Sequence, residues 1–153
     1  MSDPIYPFIL AIIFLMHNYE EWLSFDSMPK FSFIKKYFHR KAFLFAISVL
    51  SVLVTVFSFP YFQKMHLIIL FALTINALQH CFLSIWHRKL IPGTFSALFF
   101  MLPFSLFCLI KLFQEGALDF PKFIKYLILS PIVMIISIGT TLFIGSKLFK
   151  NKH

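Results

Sequence analysis

A histidine followed three and four residues later by two glutamates, His17-Asn18-Tyr19-Glu20-Glu21, closes an apolar run near the start of the chain. A second polar pair, Asn76 and His80, lies inside another apolar run. On a helix, Glu20 and Glu21 flank His17 at roughly −60° and +40° about the axis, and Asn76 and His80 share one stripe. Ser84 and His87 continue that stripe. Histidine and carboxylate from one helix, joined by histidine from another, suit a divalent metal that keeps a position open for water. His17, Glu21 and His80 are the expected ligands and Zn²⁺ the expected metal, with the other glutamate as general base. Without metal, a desolvated glutamate activates water itself, His80 acts as acid, and Asn76 donates to the developing oxyanion. The catalytic set is then Glu20, Glu21, Asn76 and His80. Gly93 and Thr94 open a further helix whose N-terminus suits an anionic group of the substrate. Gly93, Thr94, Ser84 and His87 are accordingly the expected substrate contacts.

The elements that carry these residues belong in a bilayer. The 153-residue chain is 59% hydrophobic and 13% charged, about half the charge of an ordinary soluble domain. Residues 42–63, 65–87, 90–110 and 126–146 contain no Asp, Glu, Lys or Arg, and each run is 21 to 23 residues long. A spanning helix needs about 20. Residues 4–19 rise only ~24 Å as a helix, short of the ~30 Å hydrocarbon core. Extension to Leu23 or Phe25 supplies the rest and carries His17, Glu20 and Glu21 into the bilayer slope. The expectation is an all-α, polytopic membrane bundle of five transmembrane helices, at about 5–25, 42–59, 65–86, 94–113 and 126–146. The N-terminal run has only Asp3 before it and HNYEEWL after it, which does not fit a cleaved signal peptide. No internal repeat is visible, so 1–153 reads as one domain.

With five spans, ten of the fourteen Lys and Arg residues fall on one side. By the positive-inside rule that side is the cytoplasm, with the N-terminus outside and the C-terminus inside. The net charge of +8 therefore reflects loops and not nucleic-acid binding. The basic-aromatic stretch from Met28 to Lys41 suits a loop lying on an anionic leaflet. On this topology Glu20, Glu21, His80 and the Pro92-Gly93-Thr94 turn all reach the cytoplasmic half of the bilayer. Intramembrane ionisable groups are costly and mark functional sites. The competing reading is an interfacial glutamate pair and a separate Asn76–His80 clamp between helices.

Other features read as scaffold. Cys81 and Cys108 lack metal-motif spacing and are packing residues. Pro103 should kink the fourth helix and free the carbonyl of Phe99. Ser137, Gly139, Thr140, Thr141 and Gly145 offer small surfaces for close packing of the fifth. The 23 phenylalanines are lipid-facing bulk, and His39, His66 and His153 have no assigned part.

The ordered set His17-x-x-Glu20-Glu21, Asn76-x-x-x-His80 and Pro92-Gly93 resembles the bacterial HXXEE family of small integral membrane proteins. That family is named for its first motif and has no established function. The resemblance implies that His17, Glu20, Glu21, Asn76, His80, Pro92 and Gly93 form a site with a suspected enzymatic role. Intramembrane glutamate proteases of the CAAX-processing type share only the chemistry, since no arginine follows Glu20-Glu21 at their spacing. The functional expectation is a hydrolase of the bacterial plasma membrane acting on a lipid or other amphiphilic substrate. The alternative is a protein that binds or transports a proton, metal ion or small molecule, where a homo-oligomer would complete the pathway.

Overall fold

The computed structural model describes residues 5–28, 37–58 and 62–149, and among them every regular element is helical. Helix α1 spans Ile5–Leu23, α2 Arg40–Phe57, α3 Gln63–Trp86, α4 Thr94–Gln114 and α5 Phe120–Leu148. Helices α2 to α5 are long and apolar enough to cross a membrane. Their outward faces carry large apolar side chains such as Phe82, Ile135 and Leu148, each more than 60% exposed. In water so continuous an apolar surface drives association; in hydrocarbon it is solvated. This is a membrane protein. Helix α1 has a comparable length, but His17, Asn18, Glu20 and Glu21 lower the hydropathy of its last turns. Residues 29–36 of the basic-aromatic stretch, and His153, lie outside the described residues.

Two apolar clusters hold the bundle. The larger joins α1, α3, α4 and α5 through Leu10, Phe14, Leu70, Phe71, Met101 and Tyr126. The smaller packs Phe25, Phe43, Ala46, Ile47 and Leu142 where α1 ends against α2 and α5. Helix α1 stops at Leu23, two residues before the expected Phe25, which is buried and instead opens a 3-10 turn, Phe25–Ser27. A hydrogen bond from Asn18 Nδ2 to Ser51 Oγ, 2.9 Å, ties α1 to α2. His39 caps α2, its Nδ1 accepting from Ala42 N at 3.3 Å.

Helix α5 starts six residues before the expected Tyr126. Asp119 Oδ1 accepts from Lys122 N at 2.8 Å, and Pro121 sits in the first turn, where its missing N–H costs nothing. The same N–H and the Lys122 side chain hold the Asp119 carboxyl below the usual carboxylate range. The turn before Pro103, Ala97–Met101, widens into a π-helix that makes room for the ring and the lost N–H. Pro131 is tolerated within α5.

The small residues of α5 are not equivalent. A Cβ on Gly145 would lie 3.0 Å from the Ala42 carbonyl oxygen and from the Phe45 ring, whereas one on Gly139 would meet nothing within 4 Å. Gly145 is where α5 touches the backbone of α2; Gly139 is not a packing position. We expect Gly145→Val to cost about 1–3 kcal/mol through overpacking. Gly139→Ala should be neutral or stabilising by up to ~1 kcal/mol from helix propensity. Thermal unfolding in detergent micelles measures both.

Candidate functional site

The site is built around the turn that opens α4. Thr94 N donates to Ile91 O at 3.1 Å, with Pro92 and Gly93 as the central residues. Gly93 adopts φ +85° and ψ −12°, the third position of a type II turn, which favours glycine. Proline fits the second position because its ring presets φ. Ser84 staples this turn to α3: its Oγ accepts from Ile91 N at 3.1 Å and lies 2.6 Å from Thr94 Oγ1.

Glu20 closes the start of α4. Its Oε1 accepts from Gly93 N at 3.0 Å and Phe95 N at 3.2 Å, and its Oε2 from Ser96 N at 2.8 Å. Three donors that have no intrahelical partner are satisfied by one carboxylate, at the positive end of the helix dipole. The anion expected here from the substrate is thus part of the protein.

His17, one turn earlier on α1, is 1% exposed. Its Nδ1 lies 3.0 Å from Ser96 Oγ, and its Nε2 lies 3.0 Å from Asn76 Nδ2. Ser96 Oγ also donates to Gly93 O at 3.2 Å, leaving a lone pair for an Nδ1–H. The Asn76 amide donates to Nε2. Both contacts are satisfied by the same tautomer, with the proton on Nδ1 and the Nε2 lone pair facing α3.

Glu21 turns the other way, toward α3. Its Oε1 lies 3.1 Å from His80 Nε2 and 3.7 Å from His17 Nε2. The two imidazoles meet edge to face at 4.7 Å between centroids. His17, Glu21 and His80 can each present a ligand atom with all three within 4.8 Å of one another. Zinc bonds of ~2.0–2.2 Å place tetrahedral donors roughly 3.3–3.6 Å apart. The two Glu21 separations bracket that range and all three donors lie within 4.8 Å of one another, so the cluster could hold such an ion. His80 Nδ1 is buried without a hydrogen-bond partner among the described residues.

Gly93 is needed a second time. A Cβ there would sit 2.7 Å from His17 Cε1, 2.8 Å from His80 Cε1 and 3.0 Å from Glu21 Cγ. The backbone of the turn is therefore the floor on which both rings rest.

The structure brings His17, Glu20, Glu21, Asn76, His80, Pro92 and Gly93 together and changes the parts expected of several others. Thr94 and Ser84 are buried against each other and hold the turn, so neither presents its hydroxyl to a substrate. His87 is exposed at the end of α3, because the helix stops there and its ring lies beyond the cluster. Glu20 is engaged by three N–H groups and is not free to act as a base. Ser96 was not anticipated. Its signal was its place in the first turn after Pro92-Gly93, where a hydroxyl meets whatever packs on a helix N-terminus. Asn18, inside the first motif, likewise serves the α1–α2 contact.

The two adjacent glutamates should separate experimentally. Glu20→Ala strands backbone donors at about 1–3 kcal/mol each, and should lower the melting temperature in detergent sharply. Glu21→Gln keeps an acceptor for His80 and should leave the melting temperature within a few degrees of wild type. Gly93→Ala should resemble Glu20→Ala, since both the left-handed φ and the ring contacts oppose a methyl group.

No curated protein and no solved structure matches the chain. Residues 8–108, about two thirds of the chain, match the family model described as "Protein of unknown function with HXXEE motif". That span runs from α1 into α4 and contains every residue of the cluster, and the chain belongs to the HXXEE family.

Proposed function

We propose that the protein is a membrane-embedded hydrolase of an amphiphilic or lipid substrate, dependent on a divalent metal held by His17, Glu21 and His80. One observation carries this: the three potential ligands converge within 4.8 Å of one another, and two of them, Glu21 and His80, line a largely apolar cavity of about 490 Å³. Two histidines and a carboxylate with an open position form a donor set of catalytic zinc sites. A bound Zn²⁺ supplies Lewis acidity and a water activated near neutral pH. The chain's own groups do the rest. Ser96 fixes the His17 tautomer that points Nε2 inward, as outer-shell partners of ligand histidines do. Asn76 donates to Nε2 in the structure. With an ion on that lone pair, the amide would be free to donate to an oxygen of the substrate. In the hydrolysis, water oxygen bonds to the carbonyl carbon, the carbon–heteroatom bond breaks, and the heteroatom leaves with a proton. Glu20 positions α4 and takes no proton.

The ten-to-four distribution of basic residues supports five spans in a bacterial plasma membrane, with the N-terminus outside and the site in the cytoplasmic half. A reporter fused after His153 should read cytoplasm and one fused before Ile5 the exterior. Both termini on one side would remove a span from this topology.

A second reading uses the same residues as a proton or cation pathway. It is favoured by the continuous polar contacts from Ser96 through His17 and Asn76 to Glu21 and His80. The two readings part on measurement. Purified wild type should carry about one Zn²⁺ or similar ion by elemental analysis, and His17→Ala and His80→Ala should carry none. Acyl-ester cleavage that falls at least 100-fold in Glu21→Gln supports the hydrolase. Ion flux into liposomes that stops in Glu21→Gln, without any cleavage, replaces it with the transporter.

A further inference from the structure

Gln79 lies on the cavity wall beside the cluster and takes no part in its contacts. Among the described residues, the polar side chains that line the cavity are Asn18, Glu21, Asn76, Gln79, His80 and Ser137. Asn18 is bonded to Ser51, Asn76 to His17, and Glu21 Oε1 lies 3.1 Å from His80 Nε2. Ser137 is a hydroxyl on a helix, a group that can turn back to a carbonyl one turn earlier. Gln79 has no such recourse. It is exposed on α3, and its amide has no hydrogen-bond partner among the described residues.

Its place in the helix makes this costly. Helix α3 rises ~22 Å from Lys64 to Gln79 and a further ~10 Å to its last residue, Trp86, before Arg88 and Lys89. Gln79 therefore sits inside the apolar span, between the exposed side chains of Leu78 and Phe82. An amide in apolar surroundings without a hydrogen bond carries a penalty that a bound partner removes. Polar groups kept inside a spanning helix accordingly mark function. Measured from Asn76, Gln79 lies at about −60° and His80 at about +40° around α3, so the three open onto one arc of ~100°.

Building on the reading that an amphiphile occupies this cavity, we propose that Gln79 is a ligand-binding residue, whose amide hydrogen-bonds an uncharged oxygen group of that molecule beside Asn76 and His80. An amide offers two N–H donors and a carbonyl acceptor. Ester and amide carbonyls accept from the donors, and a hydroxyl can also donate to the carbonyl. A hydrocarbon offers nothing. Gln79 thus selects molecules with an oxygen function at the level of the cluster over apolar ones of the same size. The selection acts on binding and needs no cleavage, so it is the same for a substrate and for a molecule that is only carried.

The test compares two probes of matched length, dodecyl acetate and pentadecane. Each displaces a dodecyl acetate analogue carrying a diazirine, photocrosslinked to the purified protein and mapped by mass spectrometry. Labelling of cavity positions on α2 and α3 is expected, displaced by dodecyl acetate at a severalfold lower concentration than by pentadecane. In Gln79→Leu that preference for the ester should fall by about three- to tenfold, the worth of one hydrogen bond, with pentadecane displacing as before. A merely structural role would weaken both probes alike. The melting temperature confirms folding, and Gln79→Met, unbranched and of similar length, carries the same comparison should Gln79→Leu not fold. Equal displacement by the two probes in wild type, labelling confined to outward-facing residues such as Phe82 and Ile135, or a preference unchanged in the Gln79 variants overturns the proposal. So does a preference lost in Ser137→Ala and kept in Gln79→Leu, which moves the group to α5. A preference lost in Gln79→Leu, with no ester cleaved by wild type, keeps the role of Gln79 and removes the hydrolase. Ester cleavage by wild type, with KM and preference both unchanged in Gln79→Leu, keeps the hydrolase and removes the role of Gln79.

Discussion

The contact between the Glu20 carboxylate and the first turn of α4 governs the arrangement of everything near it. The first N–H groups of a helix have no partner within it, and leaving them unpaired in a buried setting costs free energy. Glu20 supplies both its oxygens to three of them. This fixes the height and rotation of α1 against α4. With Glu20 so placed, the 3.6-residue repeat leaves no freedom for its neighbours. His17 must lie over Gly93 and beside Ser96, and Glu21 must face α3. One carboxylate thus sets the positions of the two side chains on which the proposed chemistry depends.

Two adjacent glutamates at membrane depth would be costly if both needed the same partner. They are about 100° apart on the helix, and the surroundings answer each separately. The amide dipoles of α4 meet the first, and the histidines of α1 and α3 meet the second. The motif's spacing has a physical reading in these terms. The first glutamate closes a helix, the second faces a cavity, and the histidine lies between the two. Gly93 completes the set because only a residue without Cβ lets the turn lie against both rings.

Much of this was legible in the sequence because polar residues in an apolar chain stand out and helical periodicity tells which of them share a face. The four long apolar helices, the helix start at Thr94 and the grouping of the two motifs follow from composition and spacing alone. Signals that act through backbone geometry were harder to read. Asp119 and Pro121 mark the start of α5, yet an uncharged-run criterion passes over them because Lys122 and Lys125 interrupt the run. Pro103 announced a disturbance of α4, but widening into a π turn or kinking depends on the packing around it. Glu20 as a helix cap was invisible because the cap and the helix are 73 residues apart in the chain. Gly139 and Gly145 look alike in sequence, and only the approach of α2 distinguishes them.

The hydrogen-bond state of the cluster bears on what kind of metal site it can be. Structural zinc sites contribute the energy of folding, and their ligands have no alternative partners. Here His17 Nε2 already accepts from Asn76, His80 Nε2 already faces Glu21, and Glu20 closes α4 with no help from the cluster. These contacts give His17, His80 and Glu20 partners within the protein itself. An ion held as proposed would compete with the Asn76 amide for the His17 Nε2 lone pair. Under that reading the site would have a protein partner ready whenever the ion left, which suits a working centre better than a staple.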